Sequence, residues 1–388
     1  MGGGPVSVTA PQGFRASGVV AGLKNSGAPD IALVVNDGPN QAAAAVFTSN
    51  RIKAAPVLWS QQCLTTGELH AVALNSGGAN ACTGPEGFAD THHTAEHVAE
   101  LLGCGPIEVA VCSTGLIGER LDMDRLLPGF TAAATTLAAT GGDSAAVAIM
   151  TTDTVAKTAV AQAEGVTVGG MAKGAGMFAP GMATMLSVLT TDAVAEPDVL
   201  QRVLSDAVAR TFNRVDSDGC MSTNDTVVLM ASGASEVALS EESLAALVTD
   251  VASSLSRQLI ADAEGASKDI AIEVVGAADE TDAELAARSV ARSNLFKCAV
   301  HGEDPNWGRI LSAIGTTDAA FEPDAIDVAV NGVWVCRDGS VGADRELVDM
   351  SGREVHVTVD LRVGSATATV WTNDLTADYV HENSAYST

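Results

Sequence analysis

Apolar positions along this chain follow two rhythms that alternate through its first three quarters. Unbroken runs at Ile31-Ala-Leu-Val-Val35 and His70-Ala-Val-Ala-Leu74 predict strands covered on both faces. Phe88 to Leu102 instead places Ala95, Val98, Leu101 and Leu102 at helical spacing. Ile107-Glu-Val-Ala-Val-Cys112 predicts another strand, delivering the chain to Ser113-Thr114-Gly115, and Met123 to Ala138 again reads helical, interrupted by Pro128-Gly129. A helix from Pro197 to Phe212 opens with proline in its first turn, where the missing N–H costs nothing. Ser240 to Ala263 predicts a second, with Ser240 as N-cap and Glu241 and Glu242 near the positive helix end. Ile270–Val275 is a strand, and Asp282 to Val300 reads as one long helix.

Beyond about residue 320 the rhythm shortens to period two. Ile326-Asp-Val-Ala-Val, Val333-Trp-Val, Val355-His-Val-Thr-Val-Asp-Leu and Ala366-Thr-Ala-Thr-Val-Trp alternate, separated by Asn-Gly and Asp-Gly turn signals. That predicts a small β-rich C-terminal unit behind a mixed α/β core.

Composition narrows the picture. The 388 residues exceed one typical core, which predicts two or three packed units. Apolar residues make up 47%, aromatics only 4%, and glycine fills 38 positions, so the interior is built of Ala, Val and Gly. Lys plus Arg number 21 against 48 Asp plus Glu, a net charge of −27 that repels nucleic acid and anionic membranes. Cys63, Cys82, Cys104, Cys112, Cys220, Cys298 and Cys336 form no CxxC pattern, which argues for reduced thiols and against a zinc site. His92, His93 and His97 lie on one predicted helix without an HExxH pattern and read as helix surface. With no leader-like N-terminus and no apolar run of about 18 residues, a cytoplasmic protein is expected.

One stretch carries chemistry. Gly170 to Met182 reads as a small-residue loop closing on Ala183-Thr184, and the apolar run from Thr184 reads as a buried strand. Enzymes whose nucleophile is activated by its own α-amino group need such a threonine at a chain start, so the Ala183–Thr184 bond would have to be cut. Thr114-Gly115 could offer a backbone N–H and a hydroxyl from a tight turn.

The segment around Thr184 resembles the self-cleavage site of the ornithine acetyltransferases, the bifunctional glutamate N-acetyltransferases of arginine biosynthesis. The resemblance runs along nearly the whole chain. It includes Val6-Ser-Val-Thr-Ala-Pro-Gln-Gly-Phe14, Ala21-Gly-Leu-Lys24, Asn75-Ser-Gly-Gly-Ala-Asn-Ala-Cys-Thr-Gly84, Ser113-Thr-Gly-Leu-Ile-Gly118 and Ile149-Met-Thr-Thr-Asp-Thr154. Asp262-Ala-Glu-Gly-Ala-Ser-Lys268, Asn294 through Arg309 and the terminal Asn383-Ser-Ala-Tyr-Ser-Thr388 complete it in order.

What the resemblance implies is specific. The fold would be a four-layer α/β/β/α sandwich of the N-terminal-nucleophile type with a small β-rich C-terminal domain. Residues 1–183 would form an alpha chain holding the first part of the core. Residues 184–280 would open the beta chain and complete the core, and 281–388 would be the C-terminal domain. Thr184 would be the nucleophile, Thr114 and Gly115 the oxyanion hole, and Thr151, Lys173, Thr184, Glu264, Asn383 and Thr388 the substrate contacts. Acetyl would pass from N-acetylornithine to Thr184 and then to glutamate, with no metal or cofactor; some relatives also accept acetyl-CoA as co-substrate. The cleaved chains would self-associate as α2β2. An amidohydrolase or aminopeptidase on the same fold, with water as acceptor, is the alternative. His301-Gly-Glu-Asp-Pro-Asn-Trp307 is expected to be a structural loop, because such a nucleophile brings its own base.

Overall fold

The computed structural model describes residues 7–177 and 185–385. In chain order the first half runs β1 (Phe14–Val19), β2 (Ile31–Asn36), β3 (Ala43–Phe47), α1 (Ala55–Cys63), β4 (Ala71–Asn75) and α2 (Gly84–Leu102). It continues through β5 (Val109–Ser113), α3 (Met123–Thr135), α4 (Gly142–Ala148), β6 (Lys157–Ala163) and β7 (Val166–Lys173). The middle holds β8 (Leu186–Thr191), α5 (Pro197–Arg210), β9 (Thr226–Ala231) and α6 (Glu241–Ala261). Then come β10 (Asp269–Ala277), α7 (Glu280–Ala291), α8 (Asn294–His301) and α9 (Trp307–Ile314). The chain closes with β11 (Asp327–Val330), β12 (Val333–Arg337), β13 (Ser340–Val341), β14 (Glu354–Asp360), β15 (Ala366–Asn373) and α10 (Ala377–Ala385).

Two sheets form the core. The first has the order β1-β2-β4-β5 and the second β3-β9-β8-β7-β6. Side-chain parity shows how they stack. Met171, Leu186, Val188, Val228 and Met230 of the second sheet join the apolar cluster of the first, whereas Ala172, Leu189, Val227 and Leu229 turn to α5 and α6. Helices α2 and α3 cover the first sheet with Val98, Leu126 and Phe130. The layers are therefore helix, sheet, sheet, helix, as expected. Strands β2, β8 and β9 are buried at every residue, which accounts for their unbroken apolar runs.

The third sheet, β13-β12-β11-β14-β10-β15, has its own core with α7 and α9. Its Asn331-Gly332 and Asp338-Gly339 turns hold both residues at positive φ, the geometry that two-residue hairpins favour. β10 pairs with β14 and β15, so this sheet begins at Asp269 rather than past the expected boundary at 281. Pairing partners more than 80 residues away decide that, and they leave no local signal.

Three further expectations are corrected. Gly170 to Lys173 is strand rather than loop, because β7 is hydrogen-bonded to β6 on one side and β8 on the other. The expected helix from Asp282 to Val300 is two helices, since Ser293 accepts the Phe296 N–H and starts α8 afresh. Pro106 to Glu108 is a 3₁₀ turn preceding β5. No helix among the described residues is long and apolar enough to cross a membrane.

Candidate active site

The site lies where strands of the two core sheets end side by side. Lys173 is the last residue of β7 and shares strand parity with Met171, so its side chain points between the sheets. β5 in the facing sheet ends at Ser113 and hands over to Thr114 and Gly115. Across the gap the Lys173 ammonium donates to Thr114 Oγ1 at 2.9 Å, and both residues are buried.

The Thr114-Gly115 turn is fixed from behind. Thr114 N–H donates to the Asn75 carbonyl at 3.0 Å, and Gly78 N–H donates to the Thr114 carbonyl at 3.0 Å. Gly115 has φ +131°, and a Cβ there would stand 2.8 Å from Gly78 N. Only glycine fits that approach. With the Thr114 N–H committed, the donors the pair can present are the Thr114 hydroxyl and the Gly115 N–H.

Asn224, just before β9, completes the support. Its Nδ2 donates to the Ala79 carbonyl at 2.6 Å and the Ser113 carbonyl at 2.8 Å, tying both motif loops together. The neighbouring Asp225 is fully buried and accepts the Met185 N–H at 3.0 Å, which anchors the head of β8. Burial pushes the Asp225 carboxyl well above its ordinary pKa, against the pull of the Met185 N–H and Lys173, so it favours the neutral acid.

Thr151, Glu264 and Asn383 reach the same cavity from elsewhere. Its lining includes Thr114, Gly115, Thr151, Lys173, Glu264 and Asn383, every predicted site residue that lies among those described. Glu264 follows α6 in a turn rather than ending the helix, and its N–H donates to the Ala175 carbonyl at 2.9 Å. Its carboxylate accepts from Asn383 Nδ2 at 2.9 Å, so the C-terminal α10 folds into the site. A Cβ on Gly176 would come within 2.6 Å of that carboxylate, which fits the small-residue sequence following Lys173. Ala183, Thr184 and Thr388 lie outside the described residues.

A buried ion array stands behind Lys173, and nothing in the sequence pattern marks it as buried. Asp153 accepts Thr151 N–H at 2.9 Å and Gly174 N–H at 2.6 Å. Lys157, with no exposed side-chain surface, pairs with Asp153 at 2.6 Å and Asp262 at 2.5 Å. Burial lowers the Lys173 pKa; Asp153 opposes it most strongly and Lys157 reinforces it. Asp153 itself stays below the ordinary carboxylate range: burial pushes it up, but Lys173, Lys157 and the Gly174 N–H outweigh that push. In the sequence Asp153 and Asp262 stand out only by lying within the Ile149–Thr154 and Asp262–Lys268 segments, because buried charges look like surface charges there.

The His301 cluster is different. His301 Nδ1 lies 2.9 Å from Asp374 Oδ2, and Ser267 Oγ donates to the same oxygen at 2.5 Å. Asp374 also accepts the N–H groups of Ser267 and Lys268. The carboxylate sits between hydroxyl and imidazole instead of orienting the ring toward a nucleophile, and this staples a loop. No cluster of three or more metal-ligating side chains occurs among the described residues.

Comparison with known proteins points the same way. The family model named ArgJ family matches residues 15–388. The arginine biosynthesis bifunctional protein ArgJ of Streptomyces coelicolor is 66% identical over 382 residues, covering 98% of this chain and all of that protein. Its namesake in Mycobacterium tuberculosis is 57% identical over 388 residues, covering 98% of this chain and 96% of that protein. Among solved structures, the ornithine acetyltransferase of Mycobacterium tuberculosis complexed with ornithine is 57% identical. It matches 46% of this chain and 96% of its own, at a TM-score of 0.42. The ArgJ structure from Bacillus halodurans is 36% identical, matching 51% of this chain and 97% of its own, at a TM-score of 0.48. By the reach of the family match and the identity to full-length relatives, this chain belongs to the ArgJ family.

Proposed function

We propose that this chain transfers acetyl from N-acetylornithine to glutamate through an acetyl-Thr184 intermediate, releasing ornithine and N-acetylglutamate. The observation that carries the reading is the convergence of Thr114, Gly115, Thr151, Lys173, Glu264 and Asn383, spread from residue 114 to residue 383, on one cavity. Family membership supports the activity, and the bifunctional names of relatives support a second one, acetylation of glutamate by acetyl-CoA.

The roles follow from chemistry. Cleavage at Ala183–Thr184 frees an α-amino group with a pKa near ~8, so a useful fraction is neutral at pH 7 and can take the Thr184 hydroxyl proton. The hydroxyl oxygen attacks the acetyl carbonyl, and the tetrahedral oxyanion is held by the Thr114 hydroxyl and Gly115 N–H. Collapse expels the ornithine amine, which takes the proton back. The glutamate amine then attacks acetyl-Thr184 in reverse. Lys173 has three donors, of which Thr114 uses one, and the others meet the substrate α-carboxylate. Glu264 receives the ornithine side-chain ammonium, supported by Asn383, with Thr151 and Thr388 as further contacts.

Maturation would give fragments 1–183 and 184–388. Their continued association is supported by shared sheets: β7 pairs with β8 from Val168–Thr191 to Lys173–Leu186, and β3 pairs with β9. We place the mature enzyme in the cytoplasm as α2β2.

An assay of N-acetylornithine consumption with and without glutamate tests the reading. Formation of N-acetylglutamate matching ornithine release is expected. Hydrolysis indifferent to glutamate would instead indicate the amidohydrolase or aminopeptidase alternative.

A further inference from the structure

The ion array behind the cavity does more than fill space. A lysine buried between two sheets carries a large desolvation cost and survives as a cation only where nearby charge compensates it. Asp153 is placed for that, and it also holds two backbone positions of the site. One oxygen takes the Gly174 N–H, fixing the backbone next to Lys173; the other takes the Thr151 N–H, fixing a cavity-lining residue. Lys157 and Asp262 hold Asp153 in turn, and Asp262 is itself fixed by the Thr154 N–H and hydroxyl. The titratable groups acting on Lys173 are Asp153, Lys157, Asp225 and Glu264, together with Lys24, whose ammonium donates to the Pro29 and Met150 carbonyls.

We propose that Asp153 is a positioning residue of the acetyl-transfer site, which keeps Lys173 charged and aimed at the Thr114 hydroxyl while Lys157 and Asp262 clamp its carboxylate. A charged Lys173 polarises the Thr114 hydroxyl and strengthens it as a donor to the oxyanion, as hydrogen bonds in a chain do. Asp153 therefore acts through Lys173 on the rate of the chemical step and through Thr151 on the shape of the cavity. This inference rests on the acetyl-transfer reading above.

Opposite charges make the test sharp. Asp153→Asn removes a negative neighbour of Lys173, and Lys157→Met removes a positive one. In kcat measured against pH, Asp153→Asn should lower the plateau about 10-fold to 100-fold. It should also move the basic limb down by about one pH unit. Lys157→Met should move that limb upward, and Asp153→Glu, which keeps the charge, should return it toward the parent position. General structural damage would not move the limb in opposite directions. Lysine ¹³Cε NMR titration of the same proteins, with the Lys173 signal assigned by its loss in Lys173→Met, reads the same opposed displacements without substrate. Failure of acetyl transfer in the parent protein would therefore overturn the activity while this titration still decides the role of Asp153. If Asp153→Asn does not fold, Lys157→Met decides through its direction. A Lys173 titration that stays put in both variants, or moves the same way in both, would overturn the proposal.

Discussion

Two clusters of this chain, one around Asp374 and one around Lys173, combine acidic and basic side chains and use them in opposite ways. Around Asp374 the carboxylate is used up: it accepts from Ser267 N–H, Lys268 N–H, the Ser267 hydroxyl and His301. Around Lys173 the ammonium has one acceptor among the described residues, and its neighbours Thr114, Gly115, Thr151 and Glu264 line a cavity. Both groups of residues come from segments distant in sequence, and both contain buried charge. What separates them is spare hydrogen-bonding capacity facing a cavity. A saturated cluster holds a loop in place, whereas an unsaturated one can take hold of a substrate.

The comparison breaks or sharpens under mutation. The largest effect is expected at Thr184 itself. Thr184→Ala should remain a single full-length chain on denaturing gels and show no acetyl transfer; activity in that variant would remove the cavity from the chemistry altogether. Next comes Thr114→Ala, expected to lower kcat by about 10²–10³ with KM nearly unchanged, provided mass spectrometry shows it is processed. A loss confined to KM would reassign the Thr114-Gly115 turn to substrate binding.

Glu264→Gln should discriminate between substrates. It should weaken acetylornithine by about 1.5–3 kcal/mol, the worth of a hydrogen bond to a charged group, and glutamate by less. Half-reaction kinetics would show this, and equal losses would assign Glu264 to supporting the Thr184 amine. At the other cluster, His301→Ala should leave kcat within a few-fold of the parent. Its effect should appear in thermal stability, at about 1 kcal/mol for the hydrogen bond lost. A large kcat loss there would erase the distinction between the clusters.

The smallest effect concerns Asp218, which accepts the Met177 N–H at the cavity side and the Cys220 N–H. Burial pushes its pKa up to about 6, although both N–H groups and Lys297 pull it down. The folded chain therefore keeps a proton on Asp218 that the unfolded chain releases at lower pH. That contribution to stability is full below the ordinary carboxylate pKa and is lost as pH rises through about 6. Asp218→Asn should flatten this part of the stability profile in denaturant titrations; an unchanged slope would place the carboxyl in an ordinary environment.

Legibility in the sequence followed how local each cause was. The Ser240 cap, the Pro197 start and the Asn331-Gly332 turn act within four residues and were readable. The strand through Gly169-Gly170 was not, because glycine is poor in strands and only pairing with β6 and β8 makes it one. Ser293 was hidden inside an apolar repeat that continues on both sides of it. At the site, the motifs brought forward Thr114, Gly115, Thr151, Lys173, Glu264 and Asn383 as expectations. Asp153, Lys157, Asn224 and Asp225 went unread, since their importance lies in burial and in partners far along the chain.

The most direct test of the central claim is mass spectrometry of the purified protein before and after N-acetylornithine. The account predicts a fragment beginning at Thr184 that gains the mass of one acetyl group on that residue and loses it when glutamate is added. A fully uncut chain that still transfers acetyl, or an acetyl group found on a residue other than Thr184, would contradict it.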